Sequence, residues 1–366
     1  MNPRPLGGVK QMQRKIYIDI LRSIAILFMI EVHTSAQLSP ANISTDSLLA
    51  LVVASIGGLA APLFITLSGW GVHHSLLGKI KISTTKKTII YWMITRAVFL
   101  LLCQLIVNII ANHVFNWYTP GVLSLLAICT ILSIPLAKTP IHVKIILFSL
   151  LIITPIFNGL FFHMNGNWNF VISANTLLEW VERLLFNGTY PLFPWATFFI
   201  LGSILHDSDV SFNHKTMMLG VFISVSYIIF ALMTNTTWAL TQGDALLTFF
   251  PASIAFIITA NTTVLIAFIV LEKYNNHLQK ISFLQSFSKI GNLSLTIYLI
   301  HFIPLRILSE LKLENGGLIE AIIITLLFTI IWWPLSIIHN KWFKKYSLEN
   351  LLRWISAKKN IPKTSV

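Results

Sequence analysis

Four ionisable side chains, Asp19, Arg22, Glu31 and His33, lie within one apolar run near the start of the chain. A charged group near the middle of a membrane span costs about 2.5–3.5 kcal/mol on insertion scales, so such groups need partners or a wet cavity. Asp19 and Arg22 are three residues apart and can pair on one helix face. His33 is a candidate general base, because an imidazole exchanges protons near neutral pH.

The spacing of Arg22 and His33 gives this group a direction. Eleven residues at about 100° per residue make three turns and about 20°, so the two side chains share one face, about 16 Å apart along the axis. Glu31 is about half a turn out of phase with Arg22 and is expected to point elsewhere. A structural Asp19–Arg22 ion pair beside an interfacial His33 is the alternative interpretation.

The composition indicates a membrane protein. Of the 366 residues, 55% are hydrophobic and 11% are charged, and the mean hydropathy is +0.76. Soluble domains contain about a quarter charged residues, so the composition argues against a cytosolic enzyme, a disordered chain and a nucleic-acid binder. Both cysteines, Cys103 and Cys129, lie in apolar runs, so we expect neither a disulfide framework nor a metal site.

Ten apolar stretches approach the length of about 20 residues that a membrane helix needs. We therefore expect an all-α polytopic membrane protein with about ten transmembrane helices. The stretches lie near residues 16–35, 48–71, 89–111, 120–137, 143–162, 191–206, 216–236, 246–271, 290–309 and 317–339. The amphipathic stretch around residues 176–186 is too short to span and is expected on the membrane surface.

The basic residues predict the orientation. The net charge is +13, and twenty-one of the 26 lysines and arginines fall on one side of the ten expected spans. Only Arg183 and Lys312 fall in loops on the other side. The positive-inside rule then places both termini in the cytoplasm, Arg22 in the cytoplasmic half of its span and His33 toward the outside.

This topology divides the chain into three parts. Residues 1–15 form a cytoplasmic N-terminal segment, residues 16–339 form one membrane domain, and residues 340–366 form a basic amphipathic cytoplasmic tail. We expect the tail to lie on anionic lipid. The expected location is the cell membrane, as a multi-pass protein, with a homo-oligomer left open.

The residues around Arg22 and His33 resemble a known signature. Asp19-Ile20-Leu21-Arg22, ten residues and then His33 are similar to the first motif of the membrane acyltransferase superfamily. Residues 61–71 (APLFITLSGWG) and 291–301 (GNLSLTIYLIH) are similar to its motifs P-x-F-x-x-x-S-G and G-x-x-S-L-x-x-Y-L-x-H.

The resemblance covers about residues 16–305. Segments 120–128 and 190–202 are similar to the heparan-α-glucosaminide N-acetyltransferase catalytic-domain family, which the chain resembles more closely than acyltransferase family 3. One departure is Ser23, which follows Arg22 where family members often carry Gly or Ala.

This resemblance implies transfer of an acyl group, acetyl in the nearer branch, from cytosolic acyl-CoA to an extracytoplasmic acceptor. The acceptor group is usually the amine or hydroxyl of a sugar. In this interpretation His33 is the base, with a transient acyl carrier as the alternative role. Asp19 holds Arg22, and Arg22 shapes the tunnel or contacts the thioester arm. The donor substrate is acetyl-CoA or another acyl-CoA, with no metal.

The donor is a polyanion, so its binding requires cations. Arg96 lies about two turns into its span and is a candidate, as are Lys86 and Lys87 just before it. Ordinary positive-inside lysines would show the same pattern. Ser68 and Gly69 allow a close approach of the ligand, with helix packing as the alternative.

The expected partners are membrane lipid, acyl-CoA and a saccharide acceptor, with no nucleic acid. Aromatic and polar side chains near the outer ends of the spans suit a sugar, with an interfacial aromatic belt or interhelix contact as the alternative. These candidates are Trp117, Tyr118, Trp168, Trp195, Tyr298 and His301.

Two other functions remain open from sequence. The first is a secondary transporter of a small molecule, in which the ionisable residues relay protons, although the chain shows no pair of related halves. The second is an inactive relative that binds lipid or glycan. The acceptor, the acyl chain length and the choice between N- and O-transfer are not defined by the sequence.

Overall fold

The computed structural model describes residues 15–38, 48–82, 84–162, 167–208, 210–243, 245–310 and 317–357. The predicted N-terminal segment therefore lies outside the described residues except for Lys15, as does the end of the predicted tail.

Helices make up nearly all of the first half. They are α1 (Ile16–Gln37), α2 (Leu48–Gly58), α3 (Ala60–Lys81), α4 (Lys86–Ile110), α5 (Val122–Lys138), α6 (Ile141–Phe161), α7 (Trp168–Ile172) and α8 (Leu177–Glu182). A π-helical turn, Arg183–Asn187, continues α8.

The second half adds a pair of short strands. Its elements are α9 (Leu192–Asp207), α10 (Val210–Met233), β1 (Ala239–Gln242), β2 (Leu247–Phe250), α11 (Ile254–Lys273), α12 (Asn275–Leu278), α13 (Ser282–Gly291), α14 (Ser294–Ile300), α15 (Phe302–Glu310), α16 (Leu318–Ile330) and α17 (Trp332–Trp342). A 3-10 turn, Lys344–Tyr346, leads to α18 (Leu348–Ala357).

Six helices of the described chain are long and apolar enough to cross a membrane, or up to eight spans if each of two bent helix pairs counts as one. The bent pairs are Leu177–Asn187 with Leu192–Asp207, at 46°, and Ser282–Gly291 with Ser294–Glu310, at 61°. The chain is therefore an all-α membrane protein.

Two segments are more complex than the sequence suggests. Residues 176–186, whose expected position on the membrane surface stays a prediction, belong to the first bent pair and bury Arg183, whose Nη1 donates to Asn187 Oδ1 at 2.8 Å. The expected span 246–271 begins as β2, which pairs in parallel with β1, and only α11 is helical. The Ser253 hydroxyl starts α11 by accepting a hydrogen bond from the amide of Phe256 at 3.1 Å.

Close helix crossings fix α1 and α3. The helix α3 packs on α9, where a Cβ added at Gly69 would lie 2.1 Å from the Phe199 carbonyl oxygen. Close helix packing therefore explains why a glycine stands at position 69. This is the alternative to a close approach of the ligand. The helix α1 packs on α13, where the amide of Gly291 donates to Ser23 Oγ at 2.9 Å. Ser23, the departure from the family pattern, thus ties these two helices together.

Candidate functional site

A cavity of about 530 Å³ opens at the Arg22 end of α1, and we call it the arginine cavity. Its lining comes from α1, α3, α4, α5, the break between α13 and α14, and α18. The polar residues of the lining include Arg22, Ser68, Lys79, Arg96, Asn292, Glu349 and Arg353. The lining thus collects four basic side chains.

The positive charge of the arginine cavity exceeds its negative charge. Arg22 Nη1 lies 3.7 Å from a carboxylate oxygen of the buried Asp19. Arg96 Nε is buried and has no hydrogen-bond partner among the described residues. Glu349 is the one acidic side chain in the lining, and its Oε1 accepts from the amide of Leu295 at 2.7 Å. The cavity therefore suits an anionic ligand, because guanidinium groups bind phosphate and carboxylate strongly.

A second cavity, of about 320 Å³, lies at the His33 end of α1, and we call it the histidine cavity. It is mostly apolar and aromatic. The polar and aromatic residues in its lining include His33, Gln104, His113, Trp168, Tyr190, Phe250, Tyr298 and Phe302. One face of α1 therefore presents Arg22 to one cavity and His33 to the other, as the spacing of the two residues predicts.

His33 is oriented by a second histidine from α14–α15. His33 Nδ1 lies 2.9 Å from His301 Nε2, and His301 Nδ1 lies 3.1 Å from the Ile297 carbonyl oxygen. A carbonyl oxygen only accepts, so His301 carries its proton on Nδ1. For two neutral rings, His301 Nε2 then accepts the proton of His33 Nδ1. The lone pair of His33 is left on Nε2, where a general base needs it.

A pair of aromatic rings separates the two cavities. Phe64 lines the arginine cavity, Tyr298 lines the histidine cavity, and their ring centroids are 6.1 Å apart with the planes at 20°. The linings of the two cavities therefore touch at this ring contact.

Outside the spanning helices, His113 adds a further imidazole to the histidine cavity. Burial and the nearby Arg306 guanidinium lower the pKa of His113, against a smaller opposing effect of Glu310. Because the pKa lies below its usual value, His113 is neutral at pH 7 and adds no charge to this cavity.

The candidate donor residues divide into three groups. Arg96 and Ser68 line the arginine cavity together with Arg22. Gly69 lies at the α3–α9 crossing instead. Lys86 and Lys87 are exposed in the first turn of α4 and are not part of this lining.

The candidate acceptor residues are also spread over several places. Trp168 and Tyr298 line the histidine cavity, and His301 lies fully buried behind His33. Trp195 is buried against Phe249, at a ring distance of 4.9 Å. Trp117 is 67% exposed. The partly buried Tyr118 uses its carbonyl oxygen to accept from Trp180 Nε1 at 2.8 Å.

Sequence reasoning missed a buried charged cluster around Asp207, which we call the Lys144–Asp207 cluster. Lys144 counts among the loop lysines of the charge pattern, yet it is fully buried in α6, with Nζ 2.6 Å from Asp207 Oδ2 and 2.8 Å from Ser203 Oγ. His73 Nε2 and His206 Nδ1 lie 3.0 and 2.9 Å from Asp207 Oδ1. In the sequence, this cluster is indicated only by Asp207, an acidic residue at the end of an apolar span.

The geometry of the Lys144–Asp207 cluster would also accommodate a metal ion, because the ligand atoms of His73, His206 and Asp207 lie within 4.8 Å of one another. However, the Lys144 ammonium already neutralises the carboxylate. Both carboxylate oxygens accept hydrogen bonds, so the charges of Lys144 and Asp207 are balanced, while His73 Nδ1 is buried without a hydrogen-bond partner among the described residues.

These features define an integral membrane protein with two cavities in series along one helix. A family model described as an acyltransferase domain matches residues 15–337, and the chain belongs to this family, acyltransferase family 3. It is a membrane acyltransferase. No curated protein matches the chain. The closer resemblance to the glucosaminide N-acetyltransferase branch stays a prediction.

Proposed function

We propose that this protein transfers an acyl group, acetyl in the first instance, from cytosolic acyl-CoA to a saccharide on the opposite side of the membrane. The observation that carries the proposal is the placement of the two cavities. A cationic cavity and a cavity with an oriented imidazole lie at opposite ends of the same face of α1.

The arginine cavity is the proposed donor site. Coenzyme A carries phosphate groups, and Arg22 and Arg96 offer them planar guanidinium groups that can each make two parallel hydrogen bonds. Asp19 holds Arg22 from behind. Lys79, which lines the same cavity, adds a further positive charge at its mouth.

The acyl end of the donor must then reach the histidine cavity. Arg22 and His33 are about 16 Å apart along α1, so an extended pantetheine arm has to cross the Phe64–Tyr298 ring pair to bring the thioester to His33. Small rotations of these two rings would open the passage.

His33 is the proposed general base. Its Nε2 takes the proton from the acceptor hydroxyl or amine while the acceptor oxygen or nitrogen attacks the thioester carbonyl carbon. The carbon–sulfur bond breaks, the proton passes from His33 to the departing sulfur, and free coenzyme A and the acylated acceptor result. His301 is a positioning residue, since its contact with His33 sets which ring nitrogen carries the lone pair.

The acceptor site is the remainder of the histidine cavity. Trp168, Tyr190 and Tyr298 present aromatic faces, and Gln104 presents an amide. Stacked aromatic rings with a few hydrogen-bonding groups suit a sugar ring, and an apolar lining also suits the lipid part of a lipid-linked saccharide.

The proposed topology has ten spans with both termini in the cytoplasm of a cell-membrane protein. The six long helices and two bent pairs supply eight spans. We add α1, whose 22 residues include three charged side chains, and α5, whose 17 residues are slightly short. An even count returns the C-terminus to the side of the N-terminus, in agreement with the basic residues.

A transfer assay on the purified protein with labelled acetyl-CoA and candidate sugar acceptors tests the chemistry. We expect His33→Ala to reduce transfer about 10²–10⁴-fold, the contribution typical of a general base, with acetyl-CoA binding unchanged. His301→Gln keeps the volume but not the ring contact, and we expect a smaller loss.

Three results would count against this assignment. Full transfer activity in His33→Ala would show that His33 is not the general base. If the labelled acetyl group stays on His33 when no acceptor is present, His33 carries the acyl group as an acyl-histidine instead of acting as the base. A wild-type protein that neither binds nor consumes acetyl-CoA would overturn the proposed donor.

A further inference from the structure

The C-terminal helix α18 lies beyond residue 337, where the match to the family ends. It nevertheless contributes four residues to the lining of the arginine cavity: Glu349, Leu352, Arg353 and Ser356. Their spacing of three, four and seven residues places them on one helix face. The wall of the cavity therefore extends beyond the family domain.

Glu349 fixes α18 to the start of α14. Its Oε1 accepts from the amides of Leu295 and Thr296 at 2.7 and 3.1 Å, and its Oε2 accepts from Thr296 Oγ1 at 2.6 Å. In return, the amide of Leu348 donates to Thr296 Oγ1 at 2.9 Å. Both oxygens of the Glu349 carboxylate are therefore engaged, which reduces its capacity to neutralise the arginines of the cavity.

The two faces of α18 have different surroundings. Leu352 is 8% exposed and anchors the inner face, whereas Leu351 and Trp354 are 43% and 59% exposed on the outer face. The sequence predicts only the outer face, as a lipid anchor. The inner face lines the arginine cavity.

Arg353 is the basic residue that α18 brings to the cavity. Its Nε donates to the Glu349 carbonyl oxygen at 3.2 Å. The described residues offer its two terminal nitrogens no partner, so these nitrogens are available to a ligand. The cavity is thus lined by four basic side chains and, among the described residues, one carboxylate, that of Glu349. The basic side chains are Arg22, Lys79, Arg96 and Arg353.

We propose that α18 is the wall that completes the donor site, and that Arg353 binds the phosphate at the adenosine end of coenzyme A. This inference rests on the proposed function, because it needs acyl-CoA in the arginine cavity. Glu349 is the positioning residue that holds the wall in place.

Binding of acetyl-CoA to the full chain in detergent tests the contact. We expect Arg353→Gln to weaken binding about five- to tenfold, less than for a buried charge-assisted hydrogen bond, because Arg353 is exposed to solvent. Dephospho-coenzyme A lacks the phosphate in question, so for this probe we expect wild type and Arg353→Gln to bind equally. Lys345→Gln makes the same charge change on the exposed turn before α18 and should leave both affinities unchanged.

A labelling measurement tests the wall independently of affinity. The two native cysteines are buried, so a cysteine introduced by Ser356→Cys can be followed with a maleimide. Ser356 Oγ is buried in the ligand-free protein, so we expect slow labelling of Ser356→Cys. We expect Glu349→Ala to accelerate this labelling, and a Leu351→Cys control on the outer face to label at the same rate with or without Glu349→Ala.

The outcomes separate this inference from the proposed function. If Arg353→Gln binds acetyl-CoA as tightly as Lys345→Gln does, or loses affinity equally for both probes, the Arg353 contact is wrong while the donor site stands. If Glu349→Ala leaves the labelling rate of Ser356→Cys unchanged, the wall is wrong. If wild type binds no acetyl-CoA, the proposed function and the inference fall together.

Discussion

The Lys144–Asp207 cluster and the arginine cavity both place cations deep in the helical domain, but they differ in charge balance. Lys144 meets a carboxylate at 2.6 Å, and that carboxylate also accepts from two histidines. In the arginine cavity Arg96 Nε is buried without a hydrogen-bond partner among the described residues, and Glu349 is the one acidic side chain that these residues place in the lining. The Lys144–Asp207 cluster, whose charges are balanced, holds helices together. The arginine cavity has an excess of positive charge and therefore favours an anionic ligand.

The difference follows from the cost of burying charge. Removing one partner of a buried ion pair leaves an uncompensated charge, which typically costs 3–5 kcal/mol. A guanidinium such as that of Arg96, with one buried nitrogen that lacks a partner among the described residues, already bears part of that cost in the ligand-free protein. A bound phosphate would offset it, so the same desolvation that weakens the fold strengthens ligand binding.

The largest effect is expected for Asp207→Ala. The variant leaves the Lys144 ammonium buried and unpaired, and we expect the free energy of unfolding to fall by about 3–5 kcal/mol. Thermal unfolding in detergent, monitored by size-exclusion chromatography, measures this loss as a lower unfolding temperature. The double variant Lys144→Met with Asp207→Leu is the control, and it should recover most of the loss because it buries no charge. An Asp207→Ala protein as stable as wild type would remove the distinction between the two regions.

Arg96→Gln should behave in the opposite way. We expect acetyl-CoA affinity to fall about 10–100-fold, because hydrogen bonds to charged groups contribute about 1.5–3 kcal/mol each. The thermal stability of the ligand-free protein should stay the same or rise, since a partly unpartnered cation is removed. Arg96→Lys keeps the charge and should lose less affinity. A large loss of stability with normal binding would assign Arg96 to the fold instead.

The smallest expected effect is that of salt. An accessible site for a polyanion weakens as ionic strength rises, while a buried ion pair is screened much less. Between about 0.05 and 0.5 M NaCl we expect weaker acetyl-CoA binding at an unchanged unfolding temperature. Equal salt dependence of binding and unfolding would contradict the comparison.

The sequence was sufficient for the membrane class, the family motifs and the common face of Arg22 and His33. These depend on composition and on helical periodicity within one segment. Arg96 could be found for the same reason, because a charge deep inside an apolar run stands out.

The remaining features depend on contacts between distant parts of the chain. Lys144 and Asp207 are 63 residues apart, and Glu349 lies 53 residues from Thr296. Periodicity within a segment carries no information about such pairs. The strand β2 was missed because a run that is buried on all sides reads the same as a helix. The strand β1 is buried at Ala239 and exposed at its end, and it was missed because it lies between two expected spans.

The central claim is that the donor and the acceptor occupy opposite sides of the membrane, and sided vesicles test it most directly. Wild type reconstituted in proteoliposomes receives labelled acetyl-CoA on the side of α18 and a membrane-impermeant amino sugar on the other. We predict labelled sugar only in this arrangement, and none when both substrates are on the sugar side. Transfer that requires both substrates on the same side would contradict the account.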